Sequence, residues 1–229
     1  MARKSTINRT NQHRSLITRD QPKSPTSEQY RTIRTNLQFS SVDKDLRSML
    51  VTSSGPGEGK SLTTANLAVV FAQQGKSVLL VDADLRKPTV HYTFKMNNTF
   101  GLSNYLIGEH PLEKLVQDVK IPGLDVLSCG PIPPNPSELL GSKQMKRLLE
   151  DAKSKYDLII FDTPPVLAVT DSQVLSNYVD GALLVVRSKQ TENESAIKSK
   201  ELLEQANANI LGVVLNDKDM EGKEYYYGN

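Results

Sequence analysis

Residues 51–61 have the sequence Val-Thr-Ser-Ser-Gly-Pro-Gly-Glu-Gly-Lys-Ser. The apolar run that leads into them predicts a strand over 49–52, and the residues after them are typical of a helix that ends near Gly75. Glycines in such a loop let backbone N–H groups point at phosphate oxygens, and the helix N-terminus adds partial positive charge. This order predicts a P-loop, with Lys60 on the β- and γ-phosphates and the Ser61 hydroxyl on Mg²⁺.

The loop departs from the usual P-loop pattern at one position. Ser54 stands six residues before Lys60, where the pattern has glycine, so we expect the loop to turn one residue later, at Gly55. The alternative is a plain glycine turn between strand and helix, and Gly59-Lys60-Ser61 in this context argues against it. The predicted ATP-binding residues of the loop are Ser54, Gly55, Gly57, Glu58, Gly59, Lys60, Ser61 and Leu62.

Short apolar runs alternate with helix-length segments along the rest of the chain. The predicted strands are 49–52, 78–81, 124–127, 158–161, 182–186 and 210–215. The predicted helices are 26–39 with a Thr26/Gln29 capping box, a helix capped by Ser142 that includes Ala152, and one from a Thr191/Glu194 capping box to about Ala206. Helix-length connections imply right-handed crossovers. The sequence therefore predicts an α/β fold, a P-loop NTPase-like and mostly parallel twisted sheet with helices on both faces.

Charge divides the 229 residues into three parts. Basic residues dominate the first 26 positions, where Asp20 is the only acid: Arg3, Lys4, Arg9, Arg14, Arg19 and Lys23. Because large apolar residues are also scarce there, we expect a basic disordered arm over 1–26, either a solvated tail or a segment that touches an acidic partner or anionic lipid. The P-loop domain is predicted over 27–218, and a flexible tyrosine-rich tail over 219–229.

Composition excludes several classes of protein. The net charge of +2 gives no reason to expect direct binding of nucleic acid. Cys129 is the only cysteine, which rules out an internal disulfide and suits a reducing compartment. No apolar stretch approaches the roughly 20 residues that span a bilayer. We therefore expect a cytoplasmic protein whose membrane role, if it has one, comes through a partner.

Carboxylates follow two of the predicted strands. Asp82 and Asp84 come directly after 78–81, and Asp162 follows 158–161. Open α/β sheets bind ligands at the carboxyl ends of their strands, and in P-loop proteins an acid at this place helps to hold Mg²⁺. Asp82 and Asp84, two residues apart, face the same side if the strand continues. One of them would order metal-bound water while the other accepts a proton from a hydroxyl, and the spacing leaves their division of labour open.

These segments together resemble the bacterial protein-tyrosine kinases that regulate capsule and exopolysaccharide synthesis. In order, 53–61, 81–86 and 158–164 match the family's Walker A, A-prime and Walker B motifs, and 133–140 matches its proline-rich segment. The resemblance covers the chain from residue 27 to the C-terminus. The lysine, HRD and DFG motifs of eukaryotic kinases have no counterpart in this sequence.

The resemblance implies roles for single residues. Lys60 and Ser61 would hold the phosphates of ATP and Mg²⁺, and Asp82 would be the base for the tyrosine hydroxyl. The Mg²⁺ site would consist of Ser61, Asp82, Asp84 and Asp162, and the catalytic set of Lys60, Asp82, Asp84 and Asp162. Arg86 is a weaker candidate for charge near the site, and Asn216 matches a position at which related folds contact adenine.

The resemblance also implies self-association. Glu28, Arg31 and Arg34 match the family's oligomerisation motif, which implies a homo-oligomer, with a ring as the expected form; the alternative is an intrahelical Glu28–Arg31 pair. Tyr225, Tyr226 and Tyr227 would be autophosphorylated between subunits, and the added charge would weaken the packing of the ring.

The implied partners belong to the same setting. Because this chain carries no membrane span, it resembles the family's split form, which implies a membrane-embedded activator whose cytoplasmic tail recruits the kinase to the inner face of the membrane. Protein substrates from polysaccharide metabolism and a tyrosine phosphatase complete the expected set.

Two other functions stay open at this point. One is an ATPase switch of the partition or division-site type, whose P-loop carries an extra lysine at the position of Gly55. The other is a non-catalytic, nucleotide-dependent scaffold for polysaccharide machinery. The tyrosine tail argues against the first function, and the complete set of Lys60, Ser61 and three aspartates argues against the second.

Overall fold

The computed structural model describes residues 15–40 and 45–218. Its seven-stranded sheet has the order β3-β4-β2-β5-β1-β6-β7, and every neighbouring pair is parallel except β3–β4. The strands are β1 (Ser48–Ser53), β2 (Val78–Asp82), β3 (Gln117–Ile121), β4 (Leu124–Leu127), β5 (Leu158–Asp162), β6 (Gly181–Arg187) and β7 (Ile210–Asn216). All six predicted strands are present, and each is within two residues of its predicted bounds.

Ten helices are described around this sheet. The longer ones are α2 (Pro25–Phe39), α3 (Lys60–Ala72), α8 (Lys143–Lys153) and α10 (Asn193–Gln205). The shorter ones are α1 (Ile17–Asp20), α4 (Val90–Phe94), α5 (Leu102–Leu106), α6 (Leu112–Leu115), α7 (Pro136–Leu140) and α9 (Asp171–Ser176). No helix in the described ranges is long and apolar enough to cross a bilayer.

The central strand β1 shows why the sheet is covered on both faces. Met49, Leu50 and Val51 are all fully buried. Met49 and Val51 belong to one apolar cluster with α2 and α3, whereas Leu50 belongs to a second cluster with α5, α8 and α9. Successive side chains of a strand point to opposite faces, so an unbroken apolar run requires two covered faces. The predicted mostly parallel sheet between two helical layers is confirmed.

The prediction of a disordered arm over 1–26 is wrong for its second half. Residues 15–26 contain α1 and the start of α2, and Leu16 and Thr18 are buried. The Thr18 N–H and hydroxyl both donate to Asn66 Oδ1 of α3, at 3.0 and 2.8 Å. Gln73 Nε2 also donates to the Thr18 carbonyl at 2.9 Å, and the Ser27 hydroxyl donates to the Gln21 carbonyl at 2.8 Å. A prediction from composition does not detect such contacts, because they depend on which segments pack together. Residues 1–14 lie outside the described part of the chain.

Two of the predicted helix starts are also wrong. The N-cap of α2 is Ser24, whose hydroxyl accepts from the Ser27 N–H, with Pro25 in the first turn. The N-cap of α10 is Glu192, because the Thr191 hydroxyl instead donates to Glu58 beside the P-loop. The Ser142 cap of α8 is confirmed by its bond from the Met145 N–H.

The choice between Ser24 and Thr26 as the cap is open to measurement. Ser24→Ala should lower the free energy of unfolding by about 1 kcal/mol, because an N–H group of the first turn loses its acceptor. Thr26→Ala, in the exposed first turn, should change it by less than about 0.5 kcal/mol. Urea unfolding of the two variants and the parent measures both values, and a larger loss in Thr26→Ala would contradict the assignment of the cap.

Candidate functional site

The loop between β1 and α3 has the backbone of a phosphate-binding loop. Gly57 and Gly59 have φ values of 81° and 92°, in the left-handed region that favours glycine. Gly55 lies outside that region, and the chain bends at Ser54 and Gly55 before the turn at Pro56 and Gly57. Ser54 stands at the glycine position of the pattern, and its N–H donates to Glu58 Oε2 at 2.8 Å. The other oxygen of this carboxylate accepts from the Thr191 hydroxyl at 2.6 Å.

The two glycines at 55 and 59 differ in what they tolerate. A methyl group at Gly59 would collide with the side-chain amide of Asn216 and would also sit at an unfavourable φ, whereas at Gly55 the nearest atom is Glu58 Oε1, 3.7 Å away. Gly59→Ala should therefore weaken ATP binding by about a hundredfold, equivalent to about 3 kcal/mol of strain and misplaced N–H groups. Gly55→Ala should stay within about threefold. Titration with a fluorescent ATP analogue measures both, and equal losses would contradict this account of the loop.

Lys60 is the first residue of α3 and its ammonium group is buried among acids. Its Nζ lies 3.0 Å from Asp84 Oδ2, 3.3 Å from Asp162 Oδ1 and 3.2 Å from Ser61 Oγ. Burial opposes the charge of this lysine, but the neighbouring charges of Asp162 and Asp84 outweigh burial and raise its pKa. Lys60 therefore stays charged and ties the P-loop to two of the three predicted acids.

The three aspartates reach this place from neighbouring strands. Asp82 ends β2 and Asp162 ends β5, and the two residues are paired in register. Strand β2 does not continue to Asp84, which lies in the following turn and accepts from the Lys87 N–H at 3.0 Å. All three carboxylates are buried. Parallel strands bring their carboxyl ends to one edge of the sheet, and the predicted grouping of these acids beside Lys60 is what the structure has.

The hydrogen bonds of the three acids differ. Asp82 Oδ2 accepts from the N–H groups of Thr89 and Val90, at 3.0 and 2.9 Å. Asp84 uses one oxygen for Lys87 and the other for Lys60. Within the described residues, Asp82 Oδ1 and Asp162 Oδ2 are buried and have no hydrogen-bond partner. Unpaired buried carboxylate oxygens are costly, so these two atoms mark where the site calls for a positive charge or a proton.

The electrostatics of the cluster also indicates a site for positive charge. Three carboxylates, those of Asp82, Asp84 and Asp162, surround the single ammonium group of Lys60. Burial, followed by the charge of Asp162, raises the pKa of Asp82 to about 8, and burial also raises the pKa of Asp162 although Lys60 opposes it. A bound cation would relieve this excess of negative charge.

Magnesium with a triphosphate suits this donor set. In the described ranges, no three His, Cys, Asp or Glu side chains form a metal cage by themselves. Mg²⁺ seldom needs such a cage, because it keeps several waters and takes one or two carboxylates together with substrate phosphates. The unpaired Oδ2 of Asp162 and the Ser61 hydroxyl, which accepts from Lys60 Nζ at 3.2 Å, are suitable protein ligands, and the unpaired Oδ1 of Asp82 suits a hydrogen bond from metal-bound water.

Asn216 lies at the end of β7 against the P-loop, where its side-chain N–H group donates to the Glu58 carbonyl at 2.9 Å. It also lines a groove of about 690 Å³ between α2 and the edge strand β7, together with Tyr30, Ile33 and Val213. The contact with adenine stays a prediction for this residue, and its observed contact is with the phosphate loop.

The residues of the predicted oligomerisation motif are occupied within the chain. Arg31 pairs with Glu28 one helical turn away, and its other nitrogen donates to the Pro22 carbonyl. Arg34 donates to the Val70 carbonyl of α3 at 2.9 Å. The intrahelical pair that the sequence left open is thus present, and the oligomerisation role stays a prediction.

Sequence reasoning missed one buried acid altogether. Asp171, the first residue of α9, is fully buried and forms a two-pronged ion pair with Arg86, at 2.9 and 3.0 Å. Arg86, the weaker candidate for charge at the site, is therefore bound to Asp171 and not to the cluster around Lys60. No sequence spacing signals this contact, because 85 residues separate its partners.

Comparison with known proteins agrees with this geometry. A family profile for an AAA domain, AAA_31, matches residues 46–209. Tyrosine-protein kinase YwqD of Bacillus subtilis is 55% identical over 217 residues, which are 94% of this chain and 92% of that protein. The chain belongs to the bacterial protein-tyrosine kinase family. The resemblance inferred from the Walker A, A-prime and Walker B motifs is confirmed.

Two further matches support this membership of the tyrosine-kinase family. The putative tyrosine-protein kinase CapB of Staphylococcus aureus is 39% identical over 216 residues, which are 93% of this chain and 95% of the relative. The solved kinase domain of the Escherichia coli tyrosine kinase ETK superimposes with a TM-score of 0.87 at 37% identity, covering 100% of this chain and 88% of that one. The predicted P-loop NTPase-like fold is confirmed, and with it a fold that binds nucleotides.

Proposed function

We propose that this family member transfers the γ-phosphoryl group of ATP to tyrosine, in a reaction that requires Mg²⁺. One observation carries the proposal: the buried Lys60 Nζ bridges Asp84 and Asp162 at the mouth of a P-loop, beside a third acid with an unpaired oxygen. Phosphoryl transfer depends mainly on positioning and charge stabilisation, and this cluster supplies both.

The chain's own groups divide the work of binding. The N–H groups of the loop around Gly57 and Gly59 and the start of α3 would hold the phosphates, and Lys60 would exchange its carboxylate partners for β- and γ-phosphate oxygens. Ser61, Asp84 and Asp162 are proposed to hold Mg²⁺, and Asp82 is proposed to hold it only through metal-bound water. When bound, Mg²⁺ neutralises charge on the transferred phosphoryl group. Leu62 and Asn216 complete the proposed nucleotide site.

Asp82 is the best-placed base. Both oxygens of Asp84 are engaged, and Asp162 contacts Lys60, whereas Asp82 makes no described ion pair and keeps Oδ1 unpaired. Burial raises the pKa of Asp82 above its ordinary value, which favours the uptake of a proton by this carboxylate. In the proposed step, the tyrosine oxygen bonds to the γ-phosphorus as the bond to the β-phosphate oxygen breaks. The phenolic proton passes to Asp82 Oδ1, and ADP leaves.

The proposed acceptors are Tyr225, Tyr226 and Tyr227, which lie outside the described residues. The described chain ends at Lys218, so eleven residues follow, enough to extend over about 36 Å. We propose transfer between subunits of a homo-oligomer, expected to be a ring joined through Glu28, Arg31 and Arg34. Each phosphate would add nearly two negative charges to the tail and weaken the ring.

The proposed setting follows the family. The kinase would act on proteins of polysaccharide metabolism and so regulate capsule or exopolysaccharide synthesis. It would be cytoplasmic, and the cytoplasmic tail of a membrane-embedded activator would recruit it to the inner face of the membrane. A tyrosine phosphatase would remove the phosphates that it adds. We propose no direct role for nucleic acid, because the net charge is only +2.

Incubation with labelled ATP and Mg²⁺ tests this function directly. We expect stable label on at least one of Tyr225–Tyr227, located by mass spectrometry, and its loss when EDTA removes Mg²⁺. Rapid release of phosphate without labelled protein would instead support an ATPase switch, and neither label nor release would support a scaffold.

Transfer between subunits has its own test. A Lys60→Met copy, which cannot label itself, is mixed with an active copy that ends at Lys218. Label on the tail of the Lys60→Met copy is the expected result. If that tail stays unlabelled while the wild-type chain labels itself, transfer between subunits is refuted.

A further inference from the structure

Three segments that are remote in sequence meet at the buried carboxylate of Asp171. The Arg86 guanidinium donates to both of its oxygens, from Nε at 2.9 Å and from Nη2 at 3.0 Å. The Ser137 hydroxyl donates to Asp171 Oδ1 at 2.6 Å, and Arg86 Nη2 also reaches Ser137 Oγ at 3.1 Å. Arg86 follows the A-prime acids, Ser137 lies in the proline-rich segment, and Asp171 begins α9. We call these three residues the Arg86 clamp.

The clamp holds the outer side of the turn that carries Asp84. On the inner side of this turn, the buried Asp84 accepts from the Lys87 N–H and from Lys60 Nζ. Arg86 lies between Asp84 and Lys87 in sequence and points the other way, to α7 and α9. A two-pronged guanidinium–carboxylate pair fixes direction as well as distance. The position of Asp84 is thus determined from both sides of one short turn.

The alternative role for Arg86 is direct contact with phosphate. Contact with phosphate through Nε or Nη2 requires these atoms to leave Asp171, which would abandon a fully buried carboxylate. Such an unpaired charge is costly, so the pair resists opening. The bond to Asp171 also raises the pKa of Arg86, so the arginine keeps its charge while it is paired.

We infer that Arg86, Asp171 and Ser137 are positioning residues that hold the Asp84 turn in place for Mg²⁺, and that Arg86 does not itself bind the nucleotide. This inference rests on the proposed function, because it assumes that Asp84 serves the metal. It assigns a common purpose to the arginine of the A-prime motif and to the proline-rich segment. Partners behind a metal ligand commonly change metal affinity by tenfold or more.

The test uses the whole chain and two readouts that need no phosphoryl transfer. The first is amide hydrogen exchange at Lys87 without metal or nucleotide. The second is the affinity for a fluorescent ATP analogue, measured once with Mg²⁺ and once with EDTA. Arg86→Gln alone leaves the buried Asp171 carboxylate without its counter-ion, which destabilises the fold. The main variant is therefore Arg86→Gln/Asp171→Asn, which removes both charges. Lys87→Gln is the matched control, since it removes one positive charge from the same turn and keeps the backbone N–H.

The double variant should exchange the Lys87 amide about tenfold faster than the parent. Mg²⁺ should increase the affinity of the double variant for the analogue about tenfold less than it increases that of the parent. The affinities of the two proteins in EDTA should agree within about twofold. Lys87→Gln should match the parent in both readouts, and Ser137→Ala should fall between the parent and the double variant.

Three results would overturn the inference. Parent-like exchange and Mg²⁺ dependence in the double variant would show that the clamp does not position Asp84. An equal loss of affinity with and without Mg²⁺ would show that Arg86 acts on the nucleotide directly. If the parent protein binds the analogue equally well with Mg²⁺ and with EDTA, the assignment of a Mg²⁺ site to these residues is refuted. Absence of labelled tyrosine with the expected binding results would refute the proposed kinase function and leave the clamp supported.

Discussion

Lys60→Met should lower the rate of tyrosine phosphorylation by about a thousandfold or more, equivalent to about 4 kcal/mol of transition-state stabilisation. Two losses combine in this variant. The phosphates lose their cation, and Asp84 and Asp162 lose the ammonium group that now lies 3.0 and 3.3 Å from them. Both effects occur in a buried site, where screening by water is weak.

The measurement for Lys60→Met is the initial rate of tail labelling at saturating ATP and Mg²⁺. Lys198→Met is the matched control, because this lysine lies exposed on α10, and its replacement should leave the rate unchanged within about twofold. Thermal unfolding of both variants separates lost chemistry from lost folding. A Lys60→Met protein that is folded and labels within tenfold of the parent would refute the placement of the phosphates at this lysine.

Asp82→Asn should lower kcat by about 10²- to 10⁴-fold and leave nucleotide affinity within a few-fold. The asparagine keeps an oxygen for the Thr89 and Val90 N–H groups, which now bond Asp82 Oδ2, so the start of α4 should remain in place. The amide cannot take up the phenolic proton. The expected loss is therefore in the chemical step and not in binding.

Two comparisons make the Asp82 prediction specific. Asp84→Asn should raise the Mg²⁺ concentration needed for half-maximal activity, because Asp84 is proposed to help hold Mg²⁺ once Lys60 leaves its Oδ2 for the phosphates. Asp118→Asn, on the exposed edge strand β3, should match the parent. Measurement of kcat and KM for the three variants decides the matter. A parent-like kcat in Asp82→Asn together with a large loss of kcat in Asp84→Asn would mean that Asp84, and not Asp82, is the base.

The parts of the fold that the sequence predicts are those with a strong local signal. Apolar runs such as 78–81 and 158–161 identify strands that are buried on both faces. The edge strand β3 and the short helices escaped prediction because four to six residues are too few to show a period. Thr26 and Gln29 fit the capping-box pattern, but Ser24 precedes Pro25, which is suited to the first turn of a helix, and Ser24 is the cap in the structure.

The sequence by itself determined the chemistry of this protein: a glycine-rich loop with Lys60 and Ser61, and acids at the ends of two strands, which parallel pairing must bring to one edge of the sheet. Only the tertiary structure decided which oxygen of each acid is engaged, that Asp82 Oδ1 is unpaired and that Asp171 holds Arg86 away from the cluster around Lys60. The physical reason is one of range. Local patterns encode the conformation of a loop or strand, whereas the partners of Arg86 and Lys60 lie 85 and 102 residues away and depend on how the layers pack.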